Sequence, residues 1–176
     1  MTVASMFRRM AGAARLDAAT YEEVEADKTA TWPAVFIAVV SSLAITIGDF
    51  HRGDTDVVPR FLAGLAGWIV WLFFIWLVGV KMIPEPETRS DLGELIRTTG
   101  FGSTPGLFRI LGLIPIVGWL IVVGAWLWTL AAMVMAVRQA LDYKSLGRAI
   151  LVCVVGFTGQ LAVMYLQVLL LRAATT

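Results

Sequence analysis

The chain has 176 residues, 59% of them hydrophobic, with a mean hydropathy of +0.80 and a net charge of +1. Soluble domains run near 45–50% apolar residues, and the excess here is gathered into long uncharged runs, the composition of a bilayer-embedded protein. One Cys (Cys153) and one His (His51) exclude an intrachain disulfide and most zinc, haem and non-haem iron chemistry, which needs several such ligands.

Residues 1–28 form a cytoplasmic, amphipathic and acidic N-terminal segment. Val3, Met6, Phe7 and Met10 recur at helical spacing against Arg8, Arg9 and Arg15, which predicts an interfacial helix on an anionic leaflet. Thr20 and Glu23 stand at capping-box spacing, so a second helix is expected to start at Tyr21. Glu22, Glu23, Glu25 and Asp27 make an acidic patch, read as a docking surface or a cation site, or else as a solvated face. Arg8, Arg9, Tyr21, Glu22, Glu23, Glu25 and Asp27 are the candidate contacts to lipid or a partner. No apolar core typical of a cleavable signal peptide is present.

Residues 29–176 read as an all-α bundle of about five transmembrane helices, at 29–48, 61–80, 98–115, 119–137 and 149–171. About twenty apolar residues at about 1.5 Å per residue cross a hydrocarbon core about 30 Å thick. Pro33 suits the first turn of the first span. The loop after it, with His51, Asp54 and Asp56, reads as a hydrated turn rather than a metal site. After the second span, Pro84 and Pro86 stiffen a linker, and Leu92, Leu95 and Ile96 with Asp91, Glu94 and Arg97 predict a short amphipathic helix.

The run from Thr98 to Val137 holds a single charge, Arg109, and is too long for one crossing; Pro115 and Gly118 mark the turn. The segment before that turn is polar at its start and broken at Pro105–Gly106, so it is either a kinked span or a re-entrant one. Five spans with the N-terminus inside place Arg8, Arg9, Arg15, Lys28, Lys81, Arg89, Arg97, Arg138, Lys144 and Arg148 in the cytoplasm, against Arg52, Arg60 and Arg172 outside. The positive-inside rule favours that arrangement. Small residues four apart, Ala44/Gly48, Ala63/Gly67 and Ala132/Ala136, suit close helix packing. Gly100, Phe101, Thr104, Pro105, Arg109 and Gln160 are the candidate intramembrane kink and polar residues.

Three stretches together resemble the Yip1-domain family of small membrane proteins, in its prokaryotic branch. They are Tyr21 to Asp27 with Ala30-Thr31; Gly100-Phe101-Gly102-Ser103-Thr104-Pro105, similar to the family's Gly-Tyr-x-x-x-Pro pattern with Phe101 in the Tyr place; and Ala136 to Tyr143 running on to Gly147-Arg148-Ala149-Ile150. The resemblance implies a five-span bundle with a cytoplasmic N-terminal region. Eukaryotic relatives are associated with vesicle trafficking and lipid-anchored small GTPases, but their Asp-Leu-Tyr-Gly-Pro motif is absent here and the N-terminal region is short.

The expected function is therefore a non-enzymatic organiser or accessory subunit of a prokaryotic plasma membrane, with its C-terminus outside. It would act through membrane lipids and through another membrane protein or itself. No nucleophile–base pair, metal cluster, phosphate loop, cofactor motif or nucleic-acid motif stands in the sequence. The alternative is a small oligomeric transporter or channel working at the broken third span and Arg109.

Overall fold

A computed structural model describes residues 1–48, 57–88 and 90–174, with side chains to residue 166. The described chain is helical and without strands: α1 (Val3–Ala14), α2 (Ala18–Ala26), α3 (Thr31–Gly48), α4 (Val57–Trp76), α5 (Leu92–Gly102), α6 (Gly118–Ala140) and α7 (Leu146–Ala174). A π-helical turn, Leu77–Met82, prolongs α4, and a 3-10 segment, Thr104–Leu113, follows α5. The loop reading of His51, Asp54 and Asp56 lies outside the described residues.

The helix starts follow capping chemistry. Thr2 and Ser5 form a capping box on α1, and Asp91 and Glu94 form another on α5, the short helix expected from Leu92, Leu95 and Ile96. α2 starts at Ala18, earlier than the sequence spacing suggests. Its cap is the Asp17 carboxylate, which accepts from the Thr20 amide and hydroxyl at 3.3 and 2.6 Å. The Asp17 carboxylate takes the Thr20 amide that Glu23 would accept in a Thr20–Glu23 capping box.

Among the described residues four helices are long and apolar enough to cross a membrane: α3, α4 with its π turn, α6 and α7. The expected third span, 98–115, is broken into the end of α5 and the 3-10 segment. α5 as a whole is about 16 Å long and the 3-10 segment about 20 Å, at their usual rises per residue. They run beside α3 and in the same direction. Gly100 meets Ala34, the Ser41 hydroxyl donates to the Ser103 carbonyl at 2.8 Å, and the Arg109 carbonyl abuts Gly48. The contacts therefore follow α3 from Ala34 to Gly48, about 21 Å of helix. The chain turns at 114–117, with Ile116 in the left-handed region at φ 71°, and returns as α6. Among the described residues the bundle thus has four continuous helices of spanning length and one broken segment that runs along α3.

Two layers result. α3, the α5/3-10 rod and α6 form the first, closed by small residues: Gly102 lies against Ala132 and Ala136. α4 and α7 form the second, an antiparallel pair in which Gly156 and Gly159 face Ile75 and Phe74. One core joins the layers at one end of the bundle, around Ile75, Leu95, Val137, Leu141 and Val152. Another joins the first layer to α1 and α2, around Tyr21, Ala34, Phe101 and Ala136.

Candidate functional site

The α1–α2 hairpin is fixed to the first layer by polar ties as well as by packing. Arg9, only 8% exposed, donates to Glu23 at 3.1 Å and to Asp27 at 2.7 Å. The exposed Arg8 binds the same Glu23 in a fork at 2.6 and 3.0 Å. The buried Tyr21 hydroxyl lies 3.0 Å from the Ala13 carbonyl and 3.1 Å from the Ala132 carbonyl, donating its one proton between α1 and α6. The Trp128 indole donates to the Ala14 carbonyl at 2.6 Å, and the buried Arg97 guanidinium donates to the Glu25 carbonyl at 2.8 Å. The Gln139 amide reaches Glu22 at 3.0 Å.

The candidate contact residues are thus gathered into one cluster, much of it engaged within the chain. What α1 presents outward is a second face. Val3 is 69% exposed and Phe7 59%, beside the exposed Arg8 and Arg15. An apolar stripe flanked by guanidinium groups suits the headgroup boundary of a bilayer.

Electrostatics divide the acidic patch. Hydrogen bonds from Thr29 and Arg9 hold the Asp27 carboxyl down at about 2. Glu25 is pushed up to about 7, first by burial and then by the carboxylates of Asp142, Glu94 and Glu22, which outweigh Arg97. A carboxyl that binds its proton more tightly when docked favours docking fully below its ordinary pKa of 4.5, and loses that contribution as pH rises through 7. Hydrogen exchange in α1–α2, corrected for intrinsic rates, is therefore expected to rise between pH 5 and pH 8. Glu25→Gln should flatten that rise, removing a penalty on the order of 1–2 kcal/mol at pH 8 after solvent screening. A pH dependence unchanged in Glu25→Gln would assign it to another group.

The intramembrane candidates separate. Gly100, Phe101, Thr104 and Pro105 are buried in the α3–α5–α6 contact. The polar run there is satisfied locally: Thr99, Ser103 and Thr104 donate to the carbonyls of Leu95, Gly100 and Phe101. Arg109 is half-buried on the 3-10 segment beside Gly48. Gln160 sits apart, on α7 against Gly67 of α4.

Gln160 also lines a cavity of about 750 Å³ between the two layers. Ser41, Ser42 and Thr46 of α3 face it, as do Trp68 and Trp71 of α4, Thr129 of α6 and Cys153 of α7. Sequence reasoning missed this cavity, because four helices each contribute residues that look lipid-facing on their own. It also missed Tyr143, whose hydroxyl stands 3.0 Å from the Gly79 carbonyl and 2.9 Å from the Ile83 carbonyl. Tyr143 thereby closes the π turn, where carbonyls out of α-helical register need a donor. Among the described residues no group of His, Cys, Asp and Glu could hold a metal ion.

Searches of curated proteins and of solved structures return no match. The Yip1 domain family model matches residues 16–166, from the hairpin turn into α7, covering α2, α3, α4, α6, the discontinuous segment and most of α7. With apolar helices of spanning length over that range, the chain is an integral membrane protein and belongs to the Yip1 domain family.

Proposed function

We propose that the protein is a non-enzymatic organiser or accessory subunit of a prokaryotic plasma membrane, working through lipid and protein contacts made by its hairpin. One observation carries this reading: α1 is locked to the bundle on its inner face, while its outer face offers Val3, Phe7, Arg8 and Arg15 in a fixed orientation. A free amphipathic tail must be ordered whenever it binds. A docked one has already met that cost, so contact at the interface is stronger for the same area.

The hairpin side is the cytoplasmic side in this reading. Lys28, Lys81, Arg97, Arg138, Lys144 and Arg148 lie on the segments and helix ends near it, whereas Arg60 stands on the first turn of α4 at the opposite end. The partner is another membrane protein or a second copy.

Native mass spectrometry of the C-terminally tagged chain, extracted in a mild polymer, tests the proposal. A stoichiometric partner or a defined homo-oligomer is expected, and Phe7→Glu should reduce its share severalfold without unfolding the bundle. A solitary monomer in native membranes would contradict the reading.

A further inference from the structure

We propose that the interlayer cavity is a binding site for one uncharged, carbonyl-bearing membrane lipid, its head held at Trp68 and Gln160 and its chain leaving between α6 and α7. The inference is independent of the hairpin and its partners.

The cavity's size of about 750 Å³ lies within the range of about 300–1,000 Å³ usual for small-molecule sites. Its depth, from Arg60 at the outer rim to Trp71, is about 16 Å along α4. Leu130 of α6 and Val154 and Phe157 of α7 line it and remain exposed, which leaves the space open between α6 and α7. It therefore opens sideways through a lipid-facing wall, and what enters comes from the bilayer.

Polar groups inside specify the head. Five lining hydroxyls spend their protons on backbone carbonyls: Ser41 on Ser103, Thr46 on Ser42, Ser103 on Gly100, Thr129 on Ala125 and Thr158 on Val154, at 2.6–2.9 Å. The Trp68 indole N–H is buried with no acceptor among the described residues. A buried donor left unserved costs about 1–3 kcal/mol. An occupant whose acceptor meets the N–H as the indole turns toward the space recovers that cost, and the Gln160 amide, on the facing α7 wall, offers further donors.

Among the described residues no charged group but Arg60, at the rim, lines the space, so a charged head seated deep at Trp68 and Gln160 would be unpaired. A carbonyl oxygen on a neutral head meets both conditions. Two membrane constituents carry that chemistry: a quinone ring and the ester of a diacylglycerol.

The test uses the full chain in detergent, titrated separately with decylubiquinone and with a dibrominated diacylglycerol while tryptophan fluorescence is followed. Both probes quench, and Trp68, Trp71 and Trp126 all line the cavity. Saturable quenching near one molecule per chain is expected from one probe, and which probe saturates identifies the source. Trp68→Phe should weaken that binding roughly threefold to tenfold.

Gly64 lines the cavity with nothing within 4 Å of an added Cβ, so a larger side chain there fills open space rather than forcing the helices apart. Gly64→Phe should abolish saturation, whereas Gly64→Ala should keep it. Non-saturating quenching by both probes, or saturation unchanged in a folded Gly64→Phe variant, overturns the proposal.

Discussion

Replacing Gly100 by alanine is expected to cost about 2–3 kcal/mol of stability, although the change adds a single methyl group. An added Cβ at Gly100 would stand 2.6 Å from the Ala34 carbonyl oxygen and 2.7 Å from the Ala34 Cβ. Both obstacles belong to the backbone or to its first side-chain atom, so no rotamer relieves them; α3 and α5 must separate. That separation would disturb the line of contact which carries the discontinuous span along α3, and with it the buried Thr98, Thr99 and Phe101. The control is Gly124→Ala on α6, where nothing lies within 4 Å of the new Cβ. It should be neutral or slightly stabilising, because alanine is the better helix former. Detergent-titrated unfolding of the two variants measures the difference. Equal midpoints would show that the α3–α5 contact is looser than described.

Arg9→Ala is expected to open the α1–α2 hairpin, at about 3 kcal/mol, whereas Arg8→Ala should leave it closed. The two arginines are neighbours in sequence and share Glu23, yet their surroundings differ. The Arg9 side chain is 9% exposed and bridges Glu23 to Asp27, while that of Arg8 is 62% exposed. Removing Arg9 leaves the Glu23 and Asp27 carboxylates beside each other without the buried cation between them. Removing Arg8 leaves water to take its place. Limited proteolysis near Lys28 reads the outcome: Arg9→Ala should be cut many times faster than the parent, and Arg8→Ala at nearly the parent rate. Comparable rates for both would place the docking energy in Tyr21 and the apolar contacts instead.

Much of the fold was legible because bilayer crossing imposes a strong constraint on sequence. The uncharged runs at 29–48, 61–80, 119–137 and 149–171 correspond to α3, α4, α6 and α7 to within a few residues at most ends. The largest shifts fall where helices extend past the apolar run, as α7 does from Leu146. Pro105–Gly106 and Pro115 marked the break and the turn correctly, since proline removes a donor wherever it stands. Composition alone left the direction of the broken segment open; the close contacts at Gly100, Ser103 and Gly48 decide it.

The start of α2 was misjudged because two capping partners compete for the Thr20 amide, and local spacing does not rank them. At the candidate sites, residue type was informative and environment was not. Tyr21 and Arg9 looked like surface contacts, yet Tyr21 sits where the hairpin meets the bundle and Arg9 is closed in between α1 and the carboxylates of Glu23 and Asp27. Burial of that kind depends on residues over a hundred positions away, such as Ala132. The cavity was invisible for the same reason.

The central claim is a five-pass bundle whose third pass is the broken α5/3-10 rod. Cysteine accessibility tests it most directly, in a Cys153→Ser background with a membrane-impermeant maleimide applied to intact cells and to inverted vesicles. Ile116, 90% exposed at the turn before α6, is the informative position, with Val58 and Lys144 as references for the two ends of the bundle. Ile116→Cys is predicted to label from the same side as Val58→Cys and from the side opposite Lys144→Cys. Labelling of Ile116→Cys from the Lys144 side would mean that the broken segment enters and leaves by one face, and the five-pass account would be wrong.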